Sequence, residues 1–232
     1  MEIEKKYDVR STFFFLNESG KISIFKPETW KLYLGRYNMI DSEIVGIIKK
    51  LHSEGWEIGL HGSYKSYNDK NLLKKEKEEL GKILGEQIYG IRQHYLNIDI
   101  PRTWKIHEEL GFEYDTSFGF NDRVGYKENR YSPFHPFDSS SFLVIPLTIM
   151  DIALFFSYKS IEEVWEECKK LIEITERENA ILTILWHQRV FNEKEFPNRS
   201  RIYEDLIKLC KEKNAWIATA GEITRWSQRV KS

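Results

Sequence analysis

The chain has 232 residues, 41% hydrophobic and 31% charged, which is the composition of a globular protein long enough to bury a substantial core without disulfides. Its 35 Lys and Arg stand against 36 Asp and Glu, a formal net charge of -1, so the whole-protein field offers no general attraction for nucleic acid or an anionic membrane. The most apolar stretch, 142–156, is interrupted by Pro146, Thr148 and Asp151 and falls short of the roughly 20 apolar residues that span a bilayer, so it reads as a core strand.

In chain order, the N-terminus lacks the basic-then-apolar build of a secretory signal, and the expected location of the chain as written is the cytoplasm. Residues 11–16 are a β-branched and aromatic run halted by Asn17, Glu18, Ser19 and Gly20, the pattern of a buried strand. Asp41 or Ser42 caps a helix whose Ile44, Ile47, Ile48 and Leu51 recur at helical spacing up to Gly55, and a strand over 56–60 follows. The stretch 69–84 sets Leu72, Leu73, Leu80, Ile83 and Leu84 on an otherwise charged surface helix, with a strand at 89–93 after it. Pro101 opens a helix closed by Gly111. Further strands are predicted at 112–115, 142–149, 181–186 and 215–218, and helices at 161–178, 200–213 and 221–229. No Pro, Gly or Ser-rich linker breaks the series, so a single α/β domain over 1–232 with a mainly parallel sheet is expected. The alternation leaves a closed barrel and an open sheet equally open. Neither a G-x-G-x-x-G nor a P-loop motif follows any strand, which argues against nucleotide sites. Cys168 and Cys210 lie in helical segments without metal-type spacing and read as free thiols, in keeping with a reducing compartment.

Ligand sites of parallel α/β folds form beyond the C-terminal ends of the strands, and that is where the unusual polar residues of this chain fall. His61 and Tyr64 follow one strand, Arg92, His94 and Tyr95 the next, Asp115 a third, Asp151 the strand at Pro146, and Trp186-His187 the strand at 181–186. Their recurrence at one end of successive strands points to a shared site. His52 and His107 lie inside amphipathic helices and read as partly exposed packing residues. His135, between Pro133 and Pro136 in an aromatic loop, is a candidate for lining a substrate groove.

Four segments, taken in order, resemble the polysaccharide deacetylase family, the NodB-homology carbohydrate esterases of family 4. They are Glu57-Ile58-Gly59-Leu60-His61-Gly62-Ser63-Tyr64, Gly90-Ile91-Arg92-Gln93-His94-Tyr95, Phe112-Glu113-Tyr114-Asp115-Thr116-Ser117 and Ile184-Leu185-Trp186-His187. The resemblance extends over essentially the whole chain and implies a distorted, incomplete (β/α)7 barrel. It implies a divalent metal, zinc above all, that activates water for attack on an N-acetyl or O-acetyl group of a carbohydrate substrate. Carried over motif by motif, His61 is a metal ligand, Arg92 an orienting arginine, His187 the general acid and Asp115 its support. Tyr64, Tyr95, Trp186 and His135 are expected to contact sugar.

Two departures accompany the match. The family's first motif, an Asp pair supplying the base and one ligand, precedes the strand resembled by Ser11-Thr12-Phe13-Phe14-Phe15, so the first strand is expected to be missing from the sequence as written. Lys65 stands where the second motif has its second histidine. His94 and Asp151 are the expected substitutes in the metal set. The rival expectation is a non-catalytic relative that binds carbohydrate through its aromatic residues.

Overall fold

The computed structural model describes residues 1–18, 25, 37–138 and 140–230. The expected turn after the first strand runs into Ser19 and Gly20, which lie outside the described residues. The chain forms two compact units, neither continuous in sequence: unit 1 is Met1–Arg10, Phe118–Phe134 and Val144–Ala218, and unit 2 is Ser11–Ser117, His135–Leu143 and Thr219–Ser232.

Unit 2 is built on parallel strands β1 (Thr12–Leu16), β2 (Glu57–Gly62), β3 (Gly90–Gln93) and β4 (Tyr114–Asp115), paired in that order. β5 (Leu143–Val144) extends the sheet, the Leu143 amide donating to the Glu113 carbonyl. The crossovers carry helices α2 (Ser42–Ser53), α3 (Lys70–Leu84) and α4 (Arg102–Glu109). In α3 the Asp69 carboxylate accepts from the Asn71 and Leu72 amides, and Gly85, at φ +80, closes the far end. Ile48 and Leu51 of α2 and Leu73 and Leu80 of α3 are buried, as are Leu60 and Ile91 of the strands beneath.

Unit 1 pairs the short parallel strands β6 (Ile149–Met150) and β7 (Ile184–Leu185). Its helices are α1 (Glu2–Lys6), α5 (Asp151–Ser157), α6 (Ile161–Arg177) and α7 (Arg199–Glu212). Ile149, Leu154, Val164, Cys168, Leu171, Ile172, Ile202 and Leu206 make its core. Both cysteines are free, and burial pushes the Cys168 thiol up to about 12, which leaves it unreactive. A last helix, α8 (Ala220–Val230), belongs to unit 2.

The predicted strand over 142–149 is two strands of two residues each, separated at Pro146, whose ring denies the ladder a donor. The end of the same apolar stretch is helix α5, fully apolar runs being ambiguous between the two forms. Residues 215–218 form no strand. No helix of the described residues is long and apolar enough to cross a membrane.

Candidate functional site

In unit 2 the β1–β2–β3 register aligns Leu16 with His61 and His61 with Arg92, so the residues that follow these positions gather at one strand end. His94 Nδ1 lies 2.9 Å from Glu18 Oε2, and the same oxygen accepts from the Tyr64 amide at 3.0 Å. His61 Nδ1 faces the Arg92 carbonyl at 2.8 Å, and the His61 and His94 rings stand edge-on with centroids 5.2 Å apart. Arg92 is buried, its guanidinium 4.5 Å over the Phe14 ring and its Nε donating to the Thr116 carbonyl at 3.4 Å. Burial pushes it down to about 10, with Tyr114 and Asp115 pulling the other way, so it keeps its charge at neutral pH.

Glu18 is the member of this group that the sequence reading passed over, since a carboxylate in a polar strand-ending run looks like turn chemistry. Behind it, Glu76 of α3 is 3% exposed and accepts from the Ser63 amide at 3.2 Å. Burial pushes the Glu76 carboxyl up to about 7, opposed by Ser63 and Ser66 and reinforced by the charge of Glu18. The expected charged surface of α3 therefore hides a buried carboxyl. Tyr64 and Tyr95 are 37% and 51% exposed and meet edge-to-face at 5.7 Å, which leaves ring surface open beside the histidines.

In unit 1 the β6–β7 register sets Met150 against Leu185, so that Asp151 and His187 emerge together. His187 Nδ1 is 2.6 Å from Asp151 Oδ1, and the His187 amide donates to Oδ2 at 3.0 Å. Asp151 is fully buried, and its Oδ1 also accepts from the Ile152 amide. A carboxylate so placed fixes the ring's orientation and the Nδ1–H form of the imidazole.

This geometry corrects several expectations. The support assigned to Asp115 is given to His187 by Asp151, because Asp115 spends its oxygens on the amide and hydroxyl of Ser117, at 2.8 and 2.7 Å. Asp151, expected as a metal ligand, is found hydrogen-bonded to the His187 ring and amide and to the Ile152 amide. His107 is fully buried rather than partly exposed. Trp186 packs against Phe155, Tyr203 and the unit 1 core instead of standing as a bare platform. His135 is half-buried with Nδ1 3.1 Å from the Phe142 carbonyl.

The imidazole contacts of His61 and His94, Nδ1 to a carbonyl and to a carboxylate, are of the kind that orient metal-ligating histidines. Among the described residues, however, no three His, Cys, Asp or Glu side chains are grouped to hold an ion. The set stops short of the three protein ligands a catalytic zinc site uses.

No sequence-family profile and no curated protein matches the chain. Solved structures do. A polysaccharide deacetylase from Mycobacterium smegmatis superposes at a TM-score of 0.63 with 18% identity, covering 99% of this chain and 76% of that one. An allantoinase superposes at 0.65 with 19% identity over 97% and 69%. A family 4 carbohydrate esterase pseudoenzyme from Bacillus anthracis superposes at 0.55 with 13% identity over 96% and 58%. The chain has the α/β fold of the polysaccharide deacetylases.

Proposed function

We propose that the chain is a divergent polysaccharide deacetylase-type hydrolase, acting on the carbon–nitrogen bond of an N-acetylated sugar. The observation that carries this reading is the Glu18–His94 contact beside His61 at the β1–β3 strand ends, a carboxylate–imidazole cluster on the fold of enzymes that do this chemistry. In the hydrolysis, water adds to the acetyl carbonyl and the carbon–nitrogen bond breaks to give acetate and a free amine. Glu18 and His94 form a pair able to take the proton that water gives up. The family resemblance gives His187 the role of protonating the departing amine, and within unit 1 Asp151 holds its ring in the Nδ1–H form that this role needs. Tyr64 and Tyr95 offer the exposed rings on which a pyranose stacks.

Acetate release from N-acetylglucosamine oligomers, measured with chelator and with added zinc or cobalt, tests the reading. Release that falls about a hundredfold in His187→Ala supports it. A zinc requirement would add the cofactor to this reading, and no release under any condition would retire it.

Two observations support a second reading, a carbohydrate-binding relative without turnover: among the described residues no three metal donors are grouped, and a solved pseudoenzyme shares the fold. Chelator-insensitive binding of the same oligomers, with no acetate released, would select it.

A further inference from the structure

Strand alternation puts Arg92 and Gln93 on opposite faces of β3, and in the 3-10 turn that follows (His94–Leu96) the His94 ring stands 5.2 Å from that of His61, the register partner of Arg92. Gln93 is completely buried, with its amide N–H and both side-chain polar atoms hydrogen-bonded. Its amide donates to Ser117 Oγ at 2.8 Å, its Oε1 accepts from Ser66 Oγ at 3.3 Å, and its Nε2 lies 3.0 Å from His107 Nε2. Ser117 Oγ in turn donates to Asp115 Oδ2 at 2.7 Å. His107 joins it from α4. It is fully buried between the edges of Phe112 and Phe142, and its Nδ1 lies 3.3 Å from Asp115 Oδ2 without a hydrogen bond, so the Gln93 contact is the one that holds the ring. Gly62 makes room for this arrangement, since a Cβ there would fall 2.5 Å from Gln93 Oε1.

Burying this many polar groups costs free energy that hydrogen bonds at best return, and apolar residues of the same volume would hold a core as well. What the polar chain through Gln93 adds is a defined position. It joins the ends of β2, β3 and β4 to α4 from the face opposite Arg92. We propose that His107, acting through Gln93, is a positioning residue that fixes the strand end presenting Arg92 and His94. Asp115 and Ser117 lock the same strand end through the Gln93 amide. The inference rests on the proposed hydrolase reading only for its turnover readout.

The test compares His107→Leu, which keeps the apolar packing but leaves Gln93 Nε2 without its partner, with His107→Gln, which restores an acceptor. Amide hydrogen exchange over residues 93–96 should quicken about tenfold in His107→Leu while α3 is unchanged, and His107→Gln should reverse it. With turnover, kcat should fall about tenfold in His107→Leu at unchanged KM. Should His107→Leu fail to fold, Gln93→Met removes the partner from the other side and must produce the same local loosening. A folded His107→Leu or Gln93→Met with native exchange over 93–96 overturns the proposal. An absence of turnover in the unaltered protein fails the hydrolase reading alone, and the exchange measurement still decides the role of His107.

Discussion

Glu76 shows how one buried carboxyl ties stability to pH. Its pKa in the folded chain is about 7, well above the ordinary carboxylate value, so between the two values the folded state holds a proton that the unfolded state has released. Stability therefore falls as pH rises through that window, and above it the ionised, buried carboxyl costs about 3 kcal/mol. Glu76→Gln keeps an acceptor for the Ser63 amide without the charge. The variant should be more stable than the parent at pH 8, match it near pH 4.5, and lose the intervening slope in urea titrations. A slope that persists in Glu76→Gln would assign it to another group. Asp151→Asn is the second residue-scale prediction. Asparagine fits the volume but cannot accept both contacts of His187 as a carboxylate does, so on the hydrolase reading kcat for acetate release should drop by about a hundredfold or more, with a fall in stability of about 1–3 kcal/mol for the buried donor left unpaired. Equal activity would remove Asp151 from the mechanism. His61, Arg92 and His187 were legible as residues because each closes a buried run. Glu18 and Glu76 were not, because a carboxylate's burial depends on what packs over it, and one sits in a polar run and the other on a helix rich in Lys and Glu.

At the scale of elements, the helices were readable to within a residue or two wherever an apolar stripe met a cap, as in α3 between Asp69 and Gly85. Strand ends in unit 2 were readable where a short apolar run is closed by polar residues, as in β1 and β2. Short pairings were not: β6 and β7 are two residues each, set by register against one another rather than by any local pattern. The close approach of β3 and β4 depends on a feature that composition hides. A Cβ at Gly90 would collide with the Tyr114 hydroxyl, which donates to Glu57 Oε1 at 2.9 Å. Burial and the Glu57 charge hold the Tyr114 phenol well above its usual pKa, so it remains a donor across the working range. Gly90→Ala should therefore both overpack the sheet and break this bond, with a loss of about 2–4 kcal/mol. Asp69→Ala, which removes only the α3 cap, should cost about 1 kcal/mol. Urea midpoints that rank the two variants the other way would show that β3 and β4 move apart without penalty.

Across the whole molecule, the chain passes between its two compact units five times, so no single cut in the sequence separates them. The last passage returns α8 to unit 2, where its first turn is tied to the N-terminal ends of β1 and β2. The Ala220 amide donates to Thr12 Oγ1 at 2.9 Å and the Gly221 amide to Glu57 Oε2 at 2.8 Å. Thr12 Oγ1 in turn donates to Glu57 Oε2, and Tyr114 to Glu57 Oε1. Glu57 is thus the junction of β1, β2, β4 and α8, elements that lie more than 200 residues apart in the chain at their extremes. A carboxylate at the start of a helix also faces the positive end of the helix dipole, which adds to the attraction. Truncation after Ala218 removes one amide donor from Thr12 and one from Glu57, and among the described residues leaves the Glu57 charge with Thr12 and Tyr114, a loss in the range of about 1–3 kcal/mol for each uncompensated polar partner before any apolar area is counted. The shortened chain should lose its cooperative thermal transition or unfold at a markedly lower temperature. Glu57→Gln in the full chain should give a smaller fall, because the amide retains one acceptor for these donors. If the truncated chain melts at the parent's temperature, the junction at Glu57 contributes nothing, and unit 2 is held by its sheet and its α2 and α3 packing alone.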